Sequence, residues 1–208
     1  RIGQERETRA ADAVAERVAN EQDRLALEMA GYAAARTGQV SLIDALQRRA
    51  DAEPDDTTRT QLIIFAARLA RGQADLSAWL DGGLAVAEEP WRQLGCAAGL
   101  LEFGQPRGGP ALMALARKPD HPATLEALNW LQRLVGPMTE TVGWPIEWPT
   151  KGEPPDEAFW DSLERFWSQH ADSRLIADVL DRLYIPDPRL AELRRLIHAR
   201  KKVARWFE

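Results

Sequence analysis

A glycine followed by glutamine closes an alanine-rich run three times in this chain, and that recurrence limits its fold more than any other feature. The runs are Ala33-Ala34-Ala35-Arg36-Thr37-Gly38-Gln39, Ala66-Ala67-Arg68-Leu69-Ala70-Arg71-Gly72-Gln73 and Ala97-Ala98-Gly99-Leu100-Leu101-Glu102-Phe103-Gly104-Gln105. Leu46, Leu80 and Leu112 each fall eight positions after their glycine. Gly136, after Leu128 to Val135, keeps the spacing without the glutamine. The four glycines are 34, 32 and 32 residues apart. A period of that size is the mark of stacked helical pairs, each burying one face against its neighbours. The pattern predicts an all-α fold.

The repeats run over 25–136, after a charged lead-in helix over 1–24. Oppositely charged residues three or four apart, such as Glu5 and Arg9, support that first helix. Val14, Val18 and Leu25 give it a thin apolar stripe, too sparse for a sustained coiled coil. In the first repeat Leu25, Leu27, Met29 and Ala30 to Ala35 make a close-packing helix, and Leu42, Ile43 and Leu46 line the second. Asp56 or Thr57 is the expected N-cap of the next helix. Leu62-Ile63-Ile64-Phe65 is apolar nearly all round, as an inner helix requires. Gly82-Gly83 is expected to interrupt or end the partner helix. Glu89-Pro90-Trp91 opens the third repeat with proline where a first turn tolerates it.

Residues 137–155 hold five prolines and two glycines in 19 positions, which argues against a helix there. Trp144, Ile146 and Trp148 are expected to pin this proline/tryptophan-rich loop against the helices. A C-terminal three-helix cap over 156–208 follows, with Asp156, Ser173 and Asp187-Pro188 as the helix starts.

Gly104-Gln105-Pro106 followed by Leu112 resembles the short HEAT-like repeats of bilin lyases and related scaffold proteins. Gly38-Gln39-Val40 and Gly72-Gln73-Ala74 lack the proline of that turn. The resemblance covers a little over half the chain and implies an α-solenoid array. A TPR-like or irregular helical bundle stays open beside it, and the resemblance is nearly silent on function.

Little in the chain points to chemistry. His121, His170 and His198 match no metal-ligand spacing. The one cysteine, Cys96, sits in an apolar run and reads as a small buried hydrophobe. Gly108-Gly109 lacks the lysine and hydroxyl of a phosphate loop. No cofactor or metal is expected. The formal net charge of −5 argues against nucleic acid as the main partner. Arg194, Arg195, Arg200, Lys201, Lys202 and Arg205 make the final helix basic, which suits an anionic protein, nucleic-acid or lipid surface. The plainer reading of those cations, which takes precedence, is that they offset a helix dipole. No run of 18 apolar residues exists, so the cytoplasm is the default compartment. The first residue is Arg1, and an upstream signal or membrane anchor stays open.

These readings converge on a non-enzymatic scaffold or adaptor that binds another protein through a face of its second helices. A bacterial accessory, adaptor or immunity-type protein suits this size and acidity. Asp44, Arg48, Asp75, Trp79 and Arg107 are the expected contact residues on that face, with Trp144 and Trp148 as further aromatic anchors. The alternative is a HEAT-like enzyme or ligand-binding protein, of lyase or base-handling type, with a tryptophan-lined pocket and a buried carboxylate.

Overall fold

The computed structural model describes residues 2–86, 88–119, 121–150 and 153–183. Within them the chain is all-helical, without strands. The helices are α1 (Ile2–Asn20), α2 (Arg24–Thr37), α3 (Ile43–Ala52), α4 (Asp56–Ala70) and α5 (Ser77–Leu84). They continue as α6 (Pro90–Glu102), α7 (Gly108–Ala116), α8 (Thr124–Val142), α9 (Glu157–His170) and α10 (Ser173–Leu183).

The three Gly-Gln signals end helices for a conformational reason. Gly38, Gly72 and Gly104 have φ of 68°, 72° and 89°, the left-handed region that side chains with a Cβ avoid. After α6 the Gln105 N–H reaches back to the Leu100 carbonyl at 2.7 Å and the Gly104 N–H to Leu101 at 2.9 Å. Two carbonyls that the helix end would orphan are satisfied in this way. Carboxylates start α2, α4, α9 and α10. Asp23, Asp55 and Asp156 accept from the backbone N–H three residues on, each at 2.8 Å. The cap of α4 is therefore Asp55 rather than Asp56 or Thr57. The bond from the Thr58 N–H, joined by its hydroxyl, holds the Asp55 carboxyl below its usual range. For α10, Asp172 rather than Ser173 accepts from the N–H groups of Arg174 and Leu175.

The fourth glycine behaves differently. Gly136 lies inside α8, which runs on through Pro137 to Val142 and ends at Gly143, φ 70°. The expected boundary at 136/137 and the helix-free stretch from 137 are thus corrected. Proline removes a helix bond and costs about 3 kcal/mol in an interior turn. Leu134, Val135 and Met138, all fully buried around it, offset that cost at roughly 1.5–3 kcal/mol per side chain. The Thr139 and Thr141 hydroxyls donate to the carbonyls of Gly136 and Pro137 at 2.7 and 2.8 Å.

One further expectation fails on helix phase. Leu27, Gly31 and Ala34 form the buried face of α2, leaving Leu25 and Met29 on the far side, 68% and 55% exposed. Gly82-Gly83 ends α5 as expected, both glycines lying in its last turn, one residue before the helix stops at Leu84. The expected third C-terminal helix, with the basic tail and His198, lies outside the described residues.

The core is organised by α4 and α6. Leu62 to Ala67 of α4 are buried on every side, against α2, α3 and α6. Gly95 and Gly99 of α6 face α4 so closely that a Cβ at Gly95 would stand 3.1 Å from the Thr60 Cα. One at Gly99 would stand 3.3 Å from the Ala67 Cβ. Cys96 and Leu100 of α6 then join the core of the N-terminal helices, and Leu94, Ala97, Ala98 and Leu101 join that of α7–α10. At the C-terminal end, Trp167 of α9 lies over the Cα of Gly109, and its indole N–H donates to the Pro106 carbonyl at 3.1 Å. Gly108-Gly109 is a seat for that ring. Arg117, just past the end of α7, pairs with Glu164 at 2.5 Å and lies over the Trp160 ring at 5.1 Å.

Two glycine substitutions are expected to act in opposite directions. Gly136→Ala, with open space around it, should stabilise by about 0.5–1 kcal/mol through helix propensity. Gly95→Leu should destabilise by roughly 1–3 kcal/mol through overpacking. Thermal melts of the two variants beside the parent check the signs.

Candidate functional site

The turns that end α2 and α4 lie side by side, and the helices that follow them enclose a groove. Its walls are Val40, Ser41, Ile43, Asp44 and Gln47 on the α3 side and Ala74, Asp75, Leu76, Ala78 and Trp79 on the α5 side. The open groove has a volume of about 470 Å³. Ile43 and Leu76 are buried and form the floor, while the Trp79 ring is half-buried. Val40, 47% exposed, stands in a short 3-10 turn between Gln39 and α3, outside the helical register that would turn it inward. Asp44 and Asp75 are exposed at the rim, and the groove wall contains no lysine or arginine.

Trp79 is held in place by a residue that the sequence pattern did not single out. Asp51 of α3 accepts from the Trp79 indole N–H at 3.3 Å and from Arg92 of α6 at 2.8 Å, joining three helices. The Ser77 N–H donates to Asp75 at 2.9 Å. That bond, and next the Ser77 hydroxyl, holds the Asp75 carboxyl below its ordinary range, with Arg107 acting weakly in the same direction.

The seven expected contact residues divide into separate places. Asp44, Asp75 and Trp79 share the groove. Arg48 is exposed one turn along α3, its guanidinium bonded to the Asp44 carbonyl at 3.2 Å. Arg107 reaches Asp81 at 2.9 Å. Trp144 and Trp148 are elsewhere, on the loop after α8. The Trp144 ring meets His170 at 5.3 Å and Phe166 at 6.4 Å, and Trp148 meets Phe159 at 5.2 Å edge-on. Both are half-buried and pack the loop onto α9. A second concavity of about 590 Å³ runs along that loop, bordered by Trp148 and the exposed Glu147, Glu153 and Asp156. Asp51 and Val40 were missed because neither follows from periodicity. Asp51 pairs with partners 28 and 41 residues away, and Val40 owes its exposure to the turn.

Among the described residues no group of three His, Cys, Asp or Glu side chains is placed to hold a metal, and no helix is long and apolar enough to cross a membrane. His121 has its pKa lowered by burial and then by Lys118, and its Nδ1 accepts from the Ala123 N–H at 3.3 Å. That bond makes it a turn-forming residue. Cys96 is 1% exposed, and burial pushes its thiol up to about 12. A disulfide reagent at pH 8 should leave it unmodified in the native protein and label it fully after denaturation, read as thiol released per chain. Labelling of the native form at the rate of a free thiol would contradict that environment.

No family model, no curated protein and no solved structure matches this chain.

Proposed function

We propose that the chain is a non-enzymatic helical scaffold, built as a HEAT-like array of stacked pairs, that binds a segment of another protein in the groove between α3 and α5. The observation that carries this reading is the make-up of the groove: an exposed valine and a half-buried indole between two carboxylates, with no cation in the wall. Aromatic rings fixed by hydrogen bonds are favoured interface anchors, because little side-chain freedom remains to be lost on binding. Carboxylates on both rims select a positively charged partner segment carrying an apolar side chain. Packing supports a stacked arrangement: α3 lies against α4, the first helix of the following pair, and α5 against α6.

The enzyme or base-handling alternative calls for two tryptophans and a buried carboxylate in one pocket. The groove has Trp79 alone, and the concavity along the loop has Trp148 with exposed carboxylates. The scaffold reading is the better supported of the two.

A photo-crosslinking amino acid at position 40, used in the source cells, tests the proposal. The expected product is a protein that rebinds the purified chain directly. Asp44→Asn with Asp75→Asn, which keeps a capping side chain at 75, should weaken that binding on the order of tenfold at low salt. Equal affinity for the double variant would sink the groove as the site. Recovery of a small molecule or nucleic acid in place of a protein would transfer support to the alternative.

A further inference from the structure

The concavity bordered by residues 145–150, 153–156 and the first turns of α9 shares no residue with the α3–α5 groove and has a chemistry of its own. Trp148 and the buried Phe159 meet edge-on at 5.2 Å in its wall, and Glu147, Glu153 and Asp156 supply its charge. We propose that this concavity binds a proline-rich segment of another protein through an arginine, whose guanidinium lies on the Trp148 ring within reach of the Glu147 and Glu153 carboxylates.

Charge decides the sign of the ligand. Among the described residues the charged groups of the wall are all carboxylates. Asp156 caps α9, accepting from the Phe159 N–H at 2.8 Å, so the helix N-terminus that would otherwise attract an anion is already filled by the chain. Glu147 and Glu153 are exposed, and neither is ion-paired among the described residues. The molecule also shows what a tryptophan beside a carboxylate holds. Over α9, Arg117 lies on the Trp160 ring at 5.1 Å and pairs with Glu164 at 2.5 Å; on α8, Arg133 lies on the Trp130 ring at 5.5 Å. Trp148 is half-buried, with part of its surface lining the concavity, and no described cation stands over it. A guanidinium suits this place better than an ammonium, because it is planar, weakly hydrated and able to bond a carboxylate while stacked on a ring.

The walls decide which kind of segment carries the arginine. Pro145, Pro149 and Pro154 have no N–H, so they cannot supply the hydrogen-bond ladder that an added strand needs. A proline-rich segment needs no ladder. It packs its rings on aromatic surfaces and, being stiff beforehand, loses little freedom on binding. The volume of about 590 Å³ falls within the roughly 300–1,000 Å³ of ligand sites, with room for residues on either side of the arginine.

The test is heteronuclear NMR of the isotope-labelled full chain, following the indole N–H signals, with Trp148→Phe to assign that of Trp148. The probe is acetyl-Pro-Pro-Arg-Pro-Pro-amide, beside matched peptides with lysine or citrulline at the centre and beside arginine amide alone. The arginine peptide should move the Trp148 signal saturably, the lysine peptide should bind several-fold more weakly, and the citrulline peptide should leave the signal in place. Glu147→Gln with Glu153→Gln, both exposed, should weaken binding of the arginine peptide on the order of tenfold at low salt. An unmoved Trp148 signal, an equal response to citrulline, or indifference to the two glutamine substitutions would overturn the proposal. Arginine amide binding as tightly as the peptide would assign the site to a small cation and overturn the protein segment. A response seen only in a Lys151→Gln variant would mean that the chain's own lysine fills the site, with the same result. The Trp79 signal reports the α3–α5 groove separately, so failure here leaves the reading of that groove where it stands.

Discussion

The close approach of α4 and α6 is the contact on which the rest of the structure depends. Glycine at 95 and 99 lets the two helices meet nearly backbone to backbone, with Thr60, Ile63 and Ala67 opposite. At such a distance a single added methyl group must push a neighbour aside, because protein interiors are packed as densely as organic crystals. The same helix divides the core: one side of α6 completes the N-terminal cluster and the other the C-terminal cluster. A shift of α6 is therefore felt by every layer. The Thr60 hydroxyl fixes the depth of the contact, donating to the Trp91 carbonyl across the interface at 2.8 Å.

The groove follows from that contact. Because α5 rides on α6 and α3 on α4, the spacing of α4 and α6 sets the separation of α3 and α5. Asp51 then ties the three levels at the surface through Trp79 and Arg92. An exposed ion pair of this kind is worth at most about 1 kcal/mol. Its effect is on orientation: the Trp79 indole N–H is occupied by Asp51 while the ring lines the groove.

Much of the fold was legible because it depends on local chemistry. Glycine at the end of an apolar run needs only its own φ to stop a helix, and Gly38, Gly72 and Gly104 do so. Leu42, Ile43 and Leu46 fall on one face by spacing alone and are all buried. The misses are non-local. Gly136 keeps the period of a helix end, yet its φ is set by the burial of Leu134 and Met138, which carry α8 past Pro137. Leu25 and Met29 looked apolar enough for a core, but phase relative to Gly31 and Ala34 places them outside. In the groove, Asp44, Asp75 and Trp79 were within reach of the repeat pattern. Asp51 was not, since no periodicity says which distant arginine and indole a carboxylate will meet.

The two rim carboxylates show why such a groove costs the fold little. Asp44 lies in the first turn of α3, and Asp75, just before the Leu76 N-cap of α5, accepts from the Ser77 N–H. Negative charge at a helix N-terminus is stabilised by the partial positive charge of the helix end, typically by a few tenths of a kcal/mol. The acidity of the groove is thus supplied by residues that also begin helices, and selection for stability alone would retain them. The same coupling limits the groove. The partial positive charge of the helix ends weakens the field that an approaching cation meets. In the proposed binding, charge would steer and select, while Val40 and the Trp79 ring would supply the larger share of any lasting attachment. A ligand bearing cations without an apolar side chain would match only the weaker half of the surface.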